Sequence, residues 1–90
     1  MSGRQRVTQV KAGPGGAMTD EVGVVTGELT VATEALDDGG VAVAVQYTGA
    51  EEWYTLTGSP VPARAAAALA DVHDDVVERV RRGGGAVAPA

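Results

Sequence analysis

From Glu21 onward, apolar and polar positions alternate with the period of an extended strand. Leu29, Val31, Thr33 and Ala35 share one face, and Glu28, Thr30, Ala32 and Glu34 share the other. Val22 and Val24 have the opposite parity, so the register changes near Val25–Gly27 through a bulge or a short turn at Gly27. Asp37-Asp38-Gly39-Gly40 is a strong turn signal. Val41, Val43, Val45 and Tyr47 then alternate with Ala42, Ala44 and Gln46, the clearest strand in the chain. Thr48–Glu52 makes a second turn, and Trp53-Tyr54-Thr55-Leu56-Thr57 reads as a third strand of β-forming residues. Three strands with short links predict an antiparallel meander.

After Gly58 the period changes. Ser59 suits a helix N-cap, Pro60 suits the first helical position, and the helix is expected to run to about Arg82, ending at Gly83-Gly84-Gly85. Ala65, Ala66, Leu69, Val72, His73, Val76, Val77 and Val80 form its apolar stripe. The expected fold is therefore α+β, β-β-β-α, with one long C-terminal amphipathic helix packed on one sheet face. A helix of about 22 residues spans roughly 33 Å, whereas strands of about seven residues span roughly 24 Å. The helix should overhang its sheet, leaving Val76, Val77 and Val80 in need of a cover.

Residues 1–19 contain Gly13-Pro14-Gly15-Gly16 and few apolar positions, and read as a flexible arm. Met18-Thr19-Asp20 resembles a second translation start, so two readings of the first seventeen residues are open: an added extension, or, as the leading expectation, a floppy terminus. The expected division is an arm over 1–19, one domain over 20–83 and a disordered tail over 84–90.

Composition narrows the class. The chain has 90 residues, which allow one domain, and its 16 Ala and 15 Val stand against 4 Leu and no Ile or Phe. Codons for the missing residue types are A/T-rich, so the bias points to a high-GC, actinobacterial genome. A thin Val/Ala core in a small domain favours oligomerisation. No Cys excludes disulfides and thiolate chemistry, and no apolar run reaches the ~18–20 residues of a membrane helix. No apolar stretch follows the basic N-terminus as in a secretory signal, so a cytoplasmic location is expected. The net charge of −5 is unevenly spread. Residues 20–63 hold eight acids and no base, a layout that repels phosphate and disfavours nucleic acid.

Candidate chemistry is sparse. His73, the sole histidine, lies inside the apolar stripe, which suits either a core histidine or, with Tyr47 and Tyr54, a functional pocket between helix and sheet. Asp37-Asp38 and Glu51-Glu52 lie at opposite ends of the second strand, too far apart to share an ion. They read as solvated turn charges, and neither a metal nor a cofactor is expected. If Tyr54 and Leu56 face the helix, Trp53 faces outward beside Ala42, Ala44 and Ala32. That makes a flat face of small residues with one aromatic anchor, the residue type most enriched at interface hot spots.

The run from Trp53 to Thr57, then Ser59, then an Ala/Leu/Val helix ending at Arg81-Arg82-Gly83, resembles the N-terminal dimerisation domain of actinobacterial nucleoid-bridging proteins over residues 41–83. The resemblance implies a hairpin followed by a helix, and self-association. The basic DNA-binding half of that family has no counterpart here. The expected function is a small non-catalytic protein–protein interaction module, a homodimer, with Trp53, Ala42, Ala44, Val76, Val77 and Val80 at its interfaces. A basic protein or peptide is the other partner considered. The alternatives are a ligand-binding protein or enzyme using His73, and a nucleic-acid accessory protein acting through basic termini.

Overall fold

The computed structural model describes residues 4–66 and 68–89. Residues 1–3 of the expected arm, residue 67 of the expected helix and residue 90 of the expected tail lie outside the described residues. The elements run β1 (Gln5–Lys11), β2 (Ala17–Thr19), β3 (Gly23–Val25), β4 (Glu28–Ala35), β5 (Val41–Tyr47), β6 (Tyr54–Thr55) and α1 (Leu69–Arg82). The main sheet has four antiparallel strands in the order β1-β4-β5-β6, and β2 pairs with β3 in a second, two-stranded sheet. This corrects the three-stranded meander; the single C-terminal helix stands.

The β4–β5 register sets Leu29 opposite Tyr47, Val31 opposite Val45 and Thr33 opposite Val43. The alternating residues therefore form one inner face, as their period requires. The turn between them closes with Leu36 N–H donating to the Gly40 carbonyl, while the Asp38 carboxylate accepts from Gly40 N–H. At the opposite end, the parity change near Gly27 is where β3 gives way to β4.

The expected flexible arm is instead part of the fold. Gln5–Lys11 pairs along its whole length with Glu28–Glu34. Its apolar signal is weak because β1 is an edge strand with one buried valine, Val10; the inward Thr8 takes a polar partner instead. Gly13–Gly16 is no linker either. Gly13 N–H donates to the Val80 carbonyl and Gly84 N–H to the Pro14 carbonyl. A Cβ on Gly13 would strike the Arg81 and Arg82 backbone, and one on Gly83 (φ +79°) would strike Pro14. Two glycine-rich segments thus interlock at a separation that only glycine permits.

The tail is also structured. Ala86 bridges Ala17 in parallel, Ala88 N–H donates to the Thr57 carbonyl, and both alanines are buried. The third strand is shorter than expected, Tyr54–Thr55 alone, although Leu56 continues as an isolated bridge to Thr19.

The helix is shorter as well. Val61 exchanges two backbone hydrogen bonds with Val41 and is buried, which holds it at the sheet and out of the helix. Ser59 does not cap a helix; its hydroxyl accepts from Val43 N–H. α1 has 14 residues, about 21 Å, so nothing overhangs. It packs mainly on β1 and β4. Val76 and Val80 are fully buried and Val77 is 7 % exposed. These three are core residues of the single chain, and the overhang argument for a dimer interface falls with them.

Candidate functional site

The outer face of the main sheet carries the residues of opposite parity. β1 contributes Gln5 and Val7, β4 Ala32 and Glu34, β5 Ala42 and Ala44, and β6 Thr55. Ala32, Ala42, Ala44, Glu34, Thr55 and Trp53 line a shallow cavity of about 350 Å³. Its alanines leave it low, and Trp53, 43 % exposed, stands beside them as an uncovered wall. Alternation thus brings together the three sequence-predicted residues Trp53, Ala42 and Ala44.

Glu34 lines this cavity and is exposed. Glu51 and Glu52 precede Trp53 in the chain, and the Glu52 carboxylate accepts from the Tyr54 hydroxyl on the opposite face. Glu21 reaches across from the β2–β3 turn, where its carboxylate accepts from the Thr55 hydroxyl at 2.7 Å and the Thr55 N–H at 2.8 Å. Those bonds hold its carboxyl below the ordinary 4.5, and Glu21 therefore stays ionised. Glu34 was legible from its shared parity with Ala32. Glu21 was not, because its contact spans 34 residues.

His73 lies on the other face, between α1 and the inner side of the sheet, and is 3 % exposed. Its Nε2 is 2.7 Å from Thr8 Oγ1 and its Nδ1 is 2.8 Å from Thr33 Oγ1. Thr33 is fully buried, so its hydroxyl proton needs an acceptor. A neutral ring protonated at Nε2 satisfies both contacts: Thr33 O–H donates to Nδ1, and Nε2–H donates to Thr8. Burial lowers the His73 pKa below 6.5; Asp74 opposes the shift and Arg6 adds to it. Both ring nitrogens are occupied, and His73 lines neither the outer cavity nor a second one at the helix C-terminus beside Arg79, Arg82 and Gly83.

The two tyrosines do not join it. Tyr47 and Tyr54 meet edge to face at 6.5 Å. Tyr47 stands opposite Leu29, four residues along β4 from Thr33, or about 13 Å away. Burial, then the Glu52 carboxylate, raises the Tyr54 hydroxyl above its ordinary 10.0, which suits a hydrogen-bond donor and not a base. His73, Tyr47 and Tyr54 do not form one pocket.

The turn acids are exposed, with Asp37 paired to Arg4 at 3.1 Å. Among the described residues no three His, Asp or Glu side chains converge to hold a metal ion. At the basic end of α1, Arg79 pairs with Asp75 and Arg81 with Glu78, which offsets the charge that a phosphate would need. No helix among the described residues is long and apolar enough to cross a membrane.

Compared with known protein families, curated proteins and solved structures, the chain finds no match.

Proposed function

We propose that this chain is a small non-catalytic protein–protein interaction module whose recognition surface is the outer face of the main sheet. The observation that carries the reading is Trp53, exposed beside the alanine floor of an open cavity. A solvent-facing strand normally alternates polar residues outward. Here the outward positions of β5 are Ala42, Ala44 and Gln46. Small residues beside a large aromatic make a shape that a partner side chain can fill, and aromatic anchors of this kind dominate interface energies.

The partner that fits is a basic segment with apolar residues between its cations. Glu34 borders the cavity, Glu21 binds the outward Thr55 side chain on the same face, and residues 20–63 hold no base. Such a charge layout speeds association and rejects acidic partners. The histidine-centred alternative lacks support, because both His73 ring nitrogens are already satisfied.

Trp53 is the sole tryptophan, so its fluorescence reports on this face directly. Titration with a peptide of alternating Arg and Val should blue-shift the emission, and salt should weaken the effect. The same peptide with Glu in place of Arg should give no shift. Glu34→Lys should abolish the response. An equal response to both peptides, or none to the basic one at millimolar concentration, rejects the reading.

A further inference from the structure

The two long edges of the main sheet are finished differently. On the β5 side every stretch is covered: β6 pairs with Ala44 and Val45, Ser59 accepts from Val43 N–H, and Val61 pairs with Val41. Beyond β6, the Glu21 carboxylate occupies the Thr55 N–H that an added strand would use. The β1 side has no such seal. Hydrogen bonds from Ala35 N–H to the Arg4 carbonyl and from Ala12 N–H to the Gly27 carbonyl flank the β1–β4 ladder in one register. Arg6, Thr8 and Val10 therefore direct their backbone groups towards β4. Those of Gln5, Val7, Gln9 and Lys11 point away from the sheet. All four residues are exposed, Val7 by 56 %. Among the described residues no proline, bulge or covering loop protects this edge, and Lys11 is the one charged side chain among its four outward-bonding positions.

We infer that β1 is a self-pairing edge, and that two copies of this chain join through it into one continuous eight-stranded sheet with Thr8 on the two-fold axis. The strand is self-complementary in that register. Gln5 meets Lys11 of the partner copy, Val7 meets Gln9, Arg6 meets Val10, and Thr8 meets Thr8. No charge faces a like charge. Each of the pairs formed by Gln5, Val7, Gln9 and Lys11 exchanges two backbone hydrogen bonds, which uses every outward group of β1.

Thr8 is the midpoint of the seven-residue strand, so no outward group is left over at either end. The helices also fit. α1 rests mainly on β1 and β4, about one strand spacing from the axis, which sets two such helices about 10 Å apart, a normal packing distance. The inference goes beyond the recognition face and does not rest on it. If both hold, the two Trp53 sites lie on one side of the joint sheet, about 34 Å apart at seven strand spacings.

The test is sedimentation velocity of the full chain from micromolar to millimolar concentration, combined with amide exchange. The expected result is a species of twice the 9.0 kDa chain mass. The Gln5, Val7, Gln9 and Lys11 amides should gain protection as concentration rises, while Arg6, Thr8 and Val10 are protected throughout. Val7→Pro removes an N–H that the single chain does not use, and should raise the dimer dissociation constant by more than about tenfold with circular dichroism unchanged. Should Val7→Pro also lower the melting midpoint, Val7→Lys decides. It leaves the backbone intact, sets like charges diagonally across the axis beside Lys11, and should dissociate the dimer most strongly at low salt. A monomer throughout the range would falsify the inference. So would a dimer whose alternate amides exchange freely, or one that neither substitution weakens.

Discussion

On the inner face of the main sheet, Val31, Val43 and Val45 are at most 2 % exposed. On the outer face, one residue away along the same strands, Ala32, Ala42 and Ala44 are half-buried and Trp53 is open to solvent. Both faces carry apolar residues at these positions, yet only the inner one is packed. The difference lies in side-chain size and in what covers each face. β-branched valines fill the packed interior, whereas alanines leave a depression that nothing among the described residues fills. An apolar face is thus evidence of a core only when the rest of the chain supplies a lid.

The comparison can be broken most severely by removing β1. A chain beginning at Met18 loses the whole strand paired with Glu28–Glu34 and one of the two partners of His73, Thr8. It should lose its cooperative thermal transition, and an unchanged melting midpoint would show that β1 is dispensable. Leu29→Ala, at a fully buried inner position, should lower stability by about 2–5 kcal/mol, read from urea unfolding at constant slope. That is a large part of the ~5–13 kcal/mol expected for a domain of this size.

His73 tests whether inner-face polarity is structural. His73→Leu leaves the buried Thr33 hydroxyl without an acceptor and should cost about 1–3 kcal/mol. Adding Thr33→Val should recover most of it. The pH dependence has a definite sign. The folded-state pKa of His73 is below 6.5, so between the two values the unfolded chain binds more protons. The contribution of His73 to stability is complete above pH 6.5 and declines as pH falls below it. The melting midpoint of the native chain should drop over that interval relative to His73→Leu; parallel profiles would contradict the lowered pKa. The smallest effect on stability belongs to the outer face. Trp53→Ala should change unfolding free energy by less than about 1 kcal/mol, while abolishing the fluorescence-independent binding of the basic peptide measured by calorimetry. A loss of several kcal/mol would show that Trp53 belongs to the packed interior.

Much of this was visible in the order of residues. Alternation from Leu29 to Tyr47, the Asp-Asp-Gly-Gly turn and the apolar stripe from Leu69 to Val80 settled β4, β5, α1 and the sidedness of Trp53. All are local: periods of two and 3.6 and a turn reveal themselves within a few residues. What only the tertiary structure decided was long-range. β1 carries little apolar signal of its own and becomes a strand because β4 offers it a ladder. Gly13–Gly16 looks like a linker until it meets Gly83–Gly85 from the far end of the chain. Val61 is drawn out of the expected helix by its bonds to Val41, which shortens α1 and turns Val76, Val77 and Val80 from an exposed overhang into core. Backbone hydrogen bonds between distant segments depend on which segments the fold brings together, and residue order does not encode that choice locally.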